Sequence, residues 1–117
     1  MLQLVPHLKI FICVGPVDFR CGLDSLGGVC RKRFDADPLS GAMFVFRNRA
    51  GTCLKIIVHD GVGGWLITRR FSRGKLAFWP SADDTVLHPL VAHELAVMLY
   101  NGDPSKADFA SPWRSVS

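Results

Sequence analysis

Between Met43 and Pro80 the chain reverses direction at short, regular intervals, and no other feature restricts its fold as much. Runs rich in β-branched and aromatic residues alternate with clusters of turn formers: Asn48-Arg49-Ala50-Gly51, Asp60-Gly61-Val62-Gly63 and Ser72-Arg73-Gly74. Runs joined this tightly pair as consecutive antiparallel strands, because parallel pairing needs a crossover of roughly a dozen residues or more. The spacing predicts strands over 43–47, 52–59, 64–71 and 75–79, the last stopped by Pro80.

Three further elements flank this region. Lys9 to Val14 reads as a first strand, closed by Gly15-Pro16. Leu23, Leu26, Gly27, Cys30 and Phe34 recur at helical spacing and predict a first helix, entered past Asp18. Gly27 and Gly28 each weaken that helix by about 1 kcal/mol relative to alanine, which close packing on the sheet would offset. Asp37-Pro38-Leu39-Ser40-Gly41 is a turn. Leu90, Val91, Leu95, Met98 and Leu99 mark a second helix, with Pro89 in its first turn, His88 or Leu87 as cap and Gly102 just past its end. The fold class is therefore α+β: an antiparallel β meander of about four to five strands with two α-helices packed on one face. Residues 1–102 form a single domain, and 103–117, with two prolines and four serines, form a loosely ordered tail. A chain of 117 residues has core enough to fold without staples.

The charge is sorted along the chain. From Arg31 to Lys75 there are ten cations and three carboxylates, a balance of +7, whereas the remainder stands at −3. Positive charge gathered on a sheet with tight turns is how a small protein gains affinity for a polyanion, most often nucleic acid. Arg47 and Arg49 flank one predicted hairpin, Arg73 another, and Arg69-Arg70 lie within a strand; Arg20 can join them from the first loop. These six are the candidate phosphate contacts, weighed against ordinary solvated turn charges. Arg31-Lys32-Arg33 sits in the last turn of the first helix, where cations complement the helix dipole. Phe46, Trp65, Phe71, Phe78 and Trp79 interleave with the cations; they read mainly as core, although exposed ones would suit single strands.

Other chemistries have weaker footing. Cys13, Cys21, Cys30 and Cys53 form no CxxC pair or zinc-ribbon spacing and read as buried free thiols of a reducing cytosol. No run reaches the roughly 20 apolar residues of a membrane helix, and the N-terminus makes a poor signal peptide, so a cytoplasmic protein is expected. His59 and Asp60 are adjacent in a strand and point to opposite faces, without a serine or cysteine partner; Asp60-Gly61 is turn chemistry. Asp18, Asp24, Asp60, Asp83, Asp84 and Glu94 occupy helix-start and surface positions and make no convincing two-metal cluster. No catalytic residue, metal or cofactor is expected.

Gly15-Pro-Val-Asp-Phe-Arg20, Gly22-Leu-Asp-Ser-Leu26, Asp37-Pro-Leu-Ser-Gly41 and Phe44-Val-Phe-Arg-Asn-Arg49 stand in an order that resembles a known family. Leu54-Lys55, Asp60-Gly61, Arg69-Arg70-Phe71, Gly74 and Trp79-Pro80 continue the resemblance, which covers about residues 8 to 100. The family is the small accessory protein of insertion-sequence-sixty-six type bacterial transposons, often labelled TnpB and distinct from the RNA-guided nucleases that share the label. Cys21 replaces a cation usual in the family and His59 an aromatic. The resemblance implies a non-catalytic helper of DNA transposition that acts beside a larger transposase. On this reading the partners are DNA, with transposon ends foremost, the cognate transposase and another accessory protein; a homodimer is compatible. In the first reading Arg20, Arg47, Arg49, Arg69, Arg70 and Arg73 contact DNA. The alternative is a protein-interaction module that docks on the transposase or another accessory protein, with Trp65 or Trp79 as anchor. An enzyme ranks last.

Overall fold

The fold is seen in a computed structural model that describes residues 8–18, 20, 22–81, 83 and 85–106. Five strands, β1 (Ile10–Cys13), β2 (Met43–Arg47), β3 (Cys53–His59), β4 (Gly64–Arg70) and β5 (Leu87–Leu90), form one sheet in the order β4-β3-β2-β1-β5. Helix α1 (Leu23–Phe34) links β1 to β2, and α2 (Ala92–Leu99) follows β5. The α+β class, with two helices and a largely antiparallel five-stranded sheet, is as the sequence predicts.

The meander comprises β2, β3 and β4, which pair antiparallel with Val45 opposite Ile56 and Ile56 opposite Ile67. Its turns use the expected residues. Asn48 Oδ1 accepts the Thr52 and Cys53 N–H groups at 2.9 and 3.2 Å, and Gly51 takes φ 72°. β1 pairs with β2 in parallel, with Ile10 opposite Met43. The helix between them is the crossover that parallel pairing requires.

The two helices lie on opposite faces, which corrects the expectation of one face. Ile10, Ile12, Met43, Val45, Leu54, Ile56 and Val58 pack with Leu95 and Met98 of α2. Cys13, Phe44, Phe46 and Ile57 pack with Leu26, Cys30 and Phe34 of α1. The reason lies in the central strands. Ile-Phe-Ile-Cys and Met-Phe-Val-Phe have no polar alternation, and a strand apolar on both sides must be covered on both.

Local expectations change as well. Residues 75–79 form no strand; they cross the α2 face, with Leu76, Phe78 and Trp79 packed on its core. An eight-residue helix is about 12 Å long and cannot roof that face alone, so the extended segment completes the cover. Its backbone is satisfied by loops, Leu76 N–H donating to Gly51 O at 2.7 Å and Ala77 N–H to Asn101 Oδ1 at 2.8 Å. Pro89 lies in β5 opposite Phe11 and not in a helical turn; at the sheet edge its missing N–H costs no ladder bond. The α2 cap is accordingly Val91 and not Leu87 or His88, and its N–H donates to Glu94 Oε1 at 3.0 Å. At the other end Asn101 takes the left-handed position (φ 58°), and Gly102 follows. Gly27 admits Pro38 and not the sheet: a Cβ there would lie 3.4 Å from Pro38 Cγ.

Cys13, Cys30 and Cys53 are buried free thiols, and burial pushes the Cys13 thiol far up. Pro104–Lys106 forms a short 3-10 turn, and Cys21, Asp84 and the residues beyond Lys106 lie outside the described residues.

Candidate functional site

Topology gathers the arginines at one end of the sheet. Parallel β1 and β2 finish side by side, antiparallel β3 begins there, and β4 finishes there. The Val17–Asn48 bridge ties the loop after β1 to the β2–β3 hairpin. Phe71 N–H donates to Thr52 O at 3.1 Å, which ties the segment after β4 to the same hairpin. Arg20, Arg47, Arg49, Arg69, Arg70 and Arg73, scattered over more than 50 positions, all project from this end. The turn at the opposite end carries Asp60.

The six are not equivalent. Arg47 is half-buried; its guanidinium lies 5.6 Å from the Trp79 ring centroid, and Nη1 donates to the Asn48 and Arg49 carbonyls at 3.2 and 3.4 Å. Arg69 points to the α2 face, donates from Nε to Leu99 O at 2.8 Å and stacks 5.4 Å from the Tyr100 ring centroid. It thereby satisfies a carbonyl at the C-terminus of a helix that has no cation of its own in its last turn. Arg20 pairs with Asp18 at 2.7 Å while its side chain stays 91% exposed, and the pairing holds the Asp18 carboxyl down at about 2. Such an exposed pair fixes the loop more than it stabilises the fold. Arg49, Arg70 and Arg73 are exposed and, among the described residues, make no side-chain hydrogen bond or ion pair. Arg33, by contrast, donates to Pro16 O at 3.0 Å and lies over the Phe34 ring, a structural task.

Two open clefts result. One, of about 670 Å³, is lined by Val17, Asp18, Arg20, Asn48, Arg49 and Ala50. The other, of about 360 Å³, lies among Arg69, Arg70, Arg73, Tyr100 and Asn101. Tyr100 was not among the sequence candidates. The signal for it was the only tyrosine of the chain, placed just past the apolar face of a helix and before the terminator Asn101-Gly102.

The tryptophans face inward tasks. Trp79 is half-buried and donates from Nε1 to Val14 O at 2.7 Å. Trp65 packs on the α2-side core and donates to Asp60 Oδ2 at 2.8 Å. Asp60 also accepts the Val62 and Gly63 N–H groups at 3.0 Å, and His59 bonds the Pro38 carbonyl at 2.9 Å. The two side chains therefore diverge, His59 from the end of β3 and Asp60 within the turn that follows. Asp18, Asp83 and Glu94 are likewise held by local bonds to Arg20, Thr85 and Val91. Among the described residues no group of three or more His, Cys, Asp or Glu is placed to hold a metal ion. No helix among them is long and apolar enough to cross a membrane.

The Asp60 contacts carry a pH prediction. Hydrogen bonds, with the Gly63 N–H foremost and the Trp65 and Val62 donors behind it, lower its pKa from 3.8 to about 2. The folded value lies below the unfolded one, so the stabilisation is complete above pH 4 and lost as pH falls through about 2. Asp60→Asn should therefore be less stable than wild type at neutral pH, with the gap narrowing on acidification. Urea midpoints at pH 7 and pH 3 check this.

A family model described as IS66 Orf2 like protein matches residues 8–108. The chain is 41% identical over 83 residues to the uncharacterized protein y4hO of Sinorhizobium fredii, covering 71% of each chain. It is 38% identical over 81 residues to the uncharacterized protein y4jC of the same organism, covering 69% of this chain and 68% of the relative. No solved structure matches. The matched span takes in the whole described sheet and both helices, together with the arginine end, and the chain belongs to the IS66 Orf2-like family of transposition-associated accessory proteins.

Proposed function

We propose that this protein is a non-catalytic, cytoplasmic accessory factor that binds DNA through the arginine end of its sheet. The observation that carries the reading is the convergence of Arg49, Arg70 and Arg73 there, exposed and without partners among the described residues. Exposed guanidinium groups without a structural task suit phosphates, which they can engage through paired N–H donors. Arg20, held by Asp18, and Arg69, held by Leu99 O, border the two clefts and extend the surface. Arg47 supports it from beneath. Membership of a transposition-associated family favours transposon ends as the DNA, with the cognate transposase and a further accessory protein acting at the same ends.

The test is fluorescence anisotropy of labelled duplex, transposon end against scrambled sequence, over a series of salt concentrations. Salt-sensitive binding that prefers the transposon end is expected. Absence of binding at low salt would sink the reading. In that case capture of the transposase, resistant to high salt and nuclease, would favour the protein-docking alternative. Trp65 and Trp79 are weak anchors for that alternative, because both indole N–H groups are already engaged within the fold.

A further inference from the structure

The chain's one tyrosine stands where a folded protein gains little from it. Tyr100 follows α2 and is 82% exposed, the largest aromatic surface among the described residues. Its setting is nonetheless fixed. Arg69 lies against the ring, 5.4 Å from its centroid, and is itself anchored on Leu99 O. The next residue, Asn101, donates from its backbone to Met98 O at 2.9 Å, accepts the Ala77 N–H and donates to Lys75 O. The ring is thus presented on a rigid mount beside Arg70 and Arg73, at a cleft of about 360 Å³. A fixed, exposed aromatic that shares its cleft with two arginines free of partners among the described residues has the chemistry of a single-strand site, in which a base stacks on the ring and the neighbouring phosphates meet the cations. A duplex offers the ring no base face, because its bases are stacked on one another.

We infer that the cleft between the end of β4 and the end of α2 takes single-stranded nucleic acid, one base stacking on Tyr100 while its flanking phosphates meet Arg70 and Arg73. This deepens the DNA-binding reading and rests on it. It gives the arginine end two modes: a duplex held by charge alone, and an opened strand held by charge and stacking.

The test uses the whole chain and three labelled probes: an oligothymidylate of about 16 nucleotides, an abasic strand of the same length, and a duplex. Wild type should bind oligothymidylate more tightly than the abasic strand. Tyr100→Ala should weaken oligothymidylate binding about 5- to 100-fold, Tyr100→Phe should retain it, and neither should move duplex affinity more than about twofold. The abasic comparison needs no variant and stands even if Tyr100→Ala alters the fold. Equal affinity of wild type for the oligothymidylate and abasic strands would overturn the inference while leaving the DNA reading intact. So would an equal loss of duplex and single-strand binding in Tyr100→Ala, or displacement of oligothymidylate by polyglutamate as readily as by unlabelled strand. Failure of wild type to bind any of the three probes would remove the DNA reading itself.

Discussion

Replacing Arg49, Arg70 and Arg73 together by alanine should remove most duplex binding at moderate salt and leave the fold intact. Each phosphate neutralised contributes roughly 0.9 to the slope of log affinity against log salt, so the slope should flatten by about 2.7. Fold integrity is expected because these side chains are exposed and, among the described residues, hold nothing in place. A second variant separates this surface from net charge. Lys9 and Arg31 are exposed; Lys9 precedes the start of β1, and Arg31 lines a cleft with His59, so both belong to the other end of the sheet. Changing those two to alanine lowers the charge by two, against three in the triple variant, and should leave the slope nearly unchanged. Equal flattening in both variants would mean that a diffuse positive field, and not this end, holds the DNA. Arg47 and Arg69 are omitted from the triple variant because each supports the structure: one lies against Trp79, the other donates to the Leu99 carbonyl at the end of α2.

Trp79→Ala should lower the unfolding free energy by about 2–4 kcal/mol, somewhat below a fully buried tryptophan because the ring is only half-covered. Three contributions are lost together. The indole packs on the α2-side core, donates to the otherwise buried Val14 carbonyl, and provides the face on which Arg47 lies. Set against a typical domain stability of about 5–15 kcal/mol, the loss is large. Trp79→Phe keeps the packing but strands the Val14 carbonyl, and should cost about 1–2 kcal/mol. Urea denaturation with an unchanged m value is the measurement. A loss under about 0.5 kcal/mol in Trp79→Ala would mean that the ring is a surface group, as the partner-anchor reading requires.

Much of this was legible in the sequence. The meander from Met43 to Arg70 and both of its turns follow from residue type alone, since Asn48, Gly51, Asp60 and Gly61 supply the turn chemistry. The parallel β1–β2 pair and the two-sided cover of the sheet departed from the expected antiparallel meander with both helices on one face; the helix between two strands and the unbroken apolar runs of β1 and β2 account for them. Residues 75–79 were harder. Their composition suits a strand, and only the short reach of α2 explains why they serve as a roof instead. Pro89 was ambiguous because a first helical turn and an edge strand tolerate a missing N–H equally well. The arginines were found from charge and spacing, but their division of labour was not. Whether a guanidinium holds a helix end, an indole or nothing depends on contacts made across 30 positions or more, as between Arg69 and Leu99 or Arg47 and Trp79. Tyr100 was missed because a helix-end tyrosine is ordinarily a boundary residue, and only Arg69, arriving from β4, makes it part of a site.

On the proposed reading, DNA lies at the end of the sheet formed by the β2–β3 hairpin and the β4 exit. The most direct measurement is amide chemical-shift mapping of the labelled protein as duplex is added. Shifts should grow from Asn48 to Thr52 and from Arg70 to Lys75, reaching Tyr100 and Asn101, with the Asp60–Gly63 turn unmoved. Shifts centred on Asp60–Gly63 and the start of α1, or none at concentrations where anisotropy shows binding, would contradict that reading.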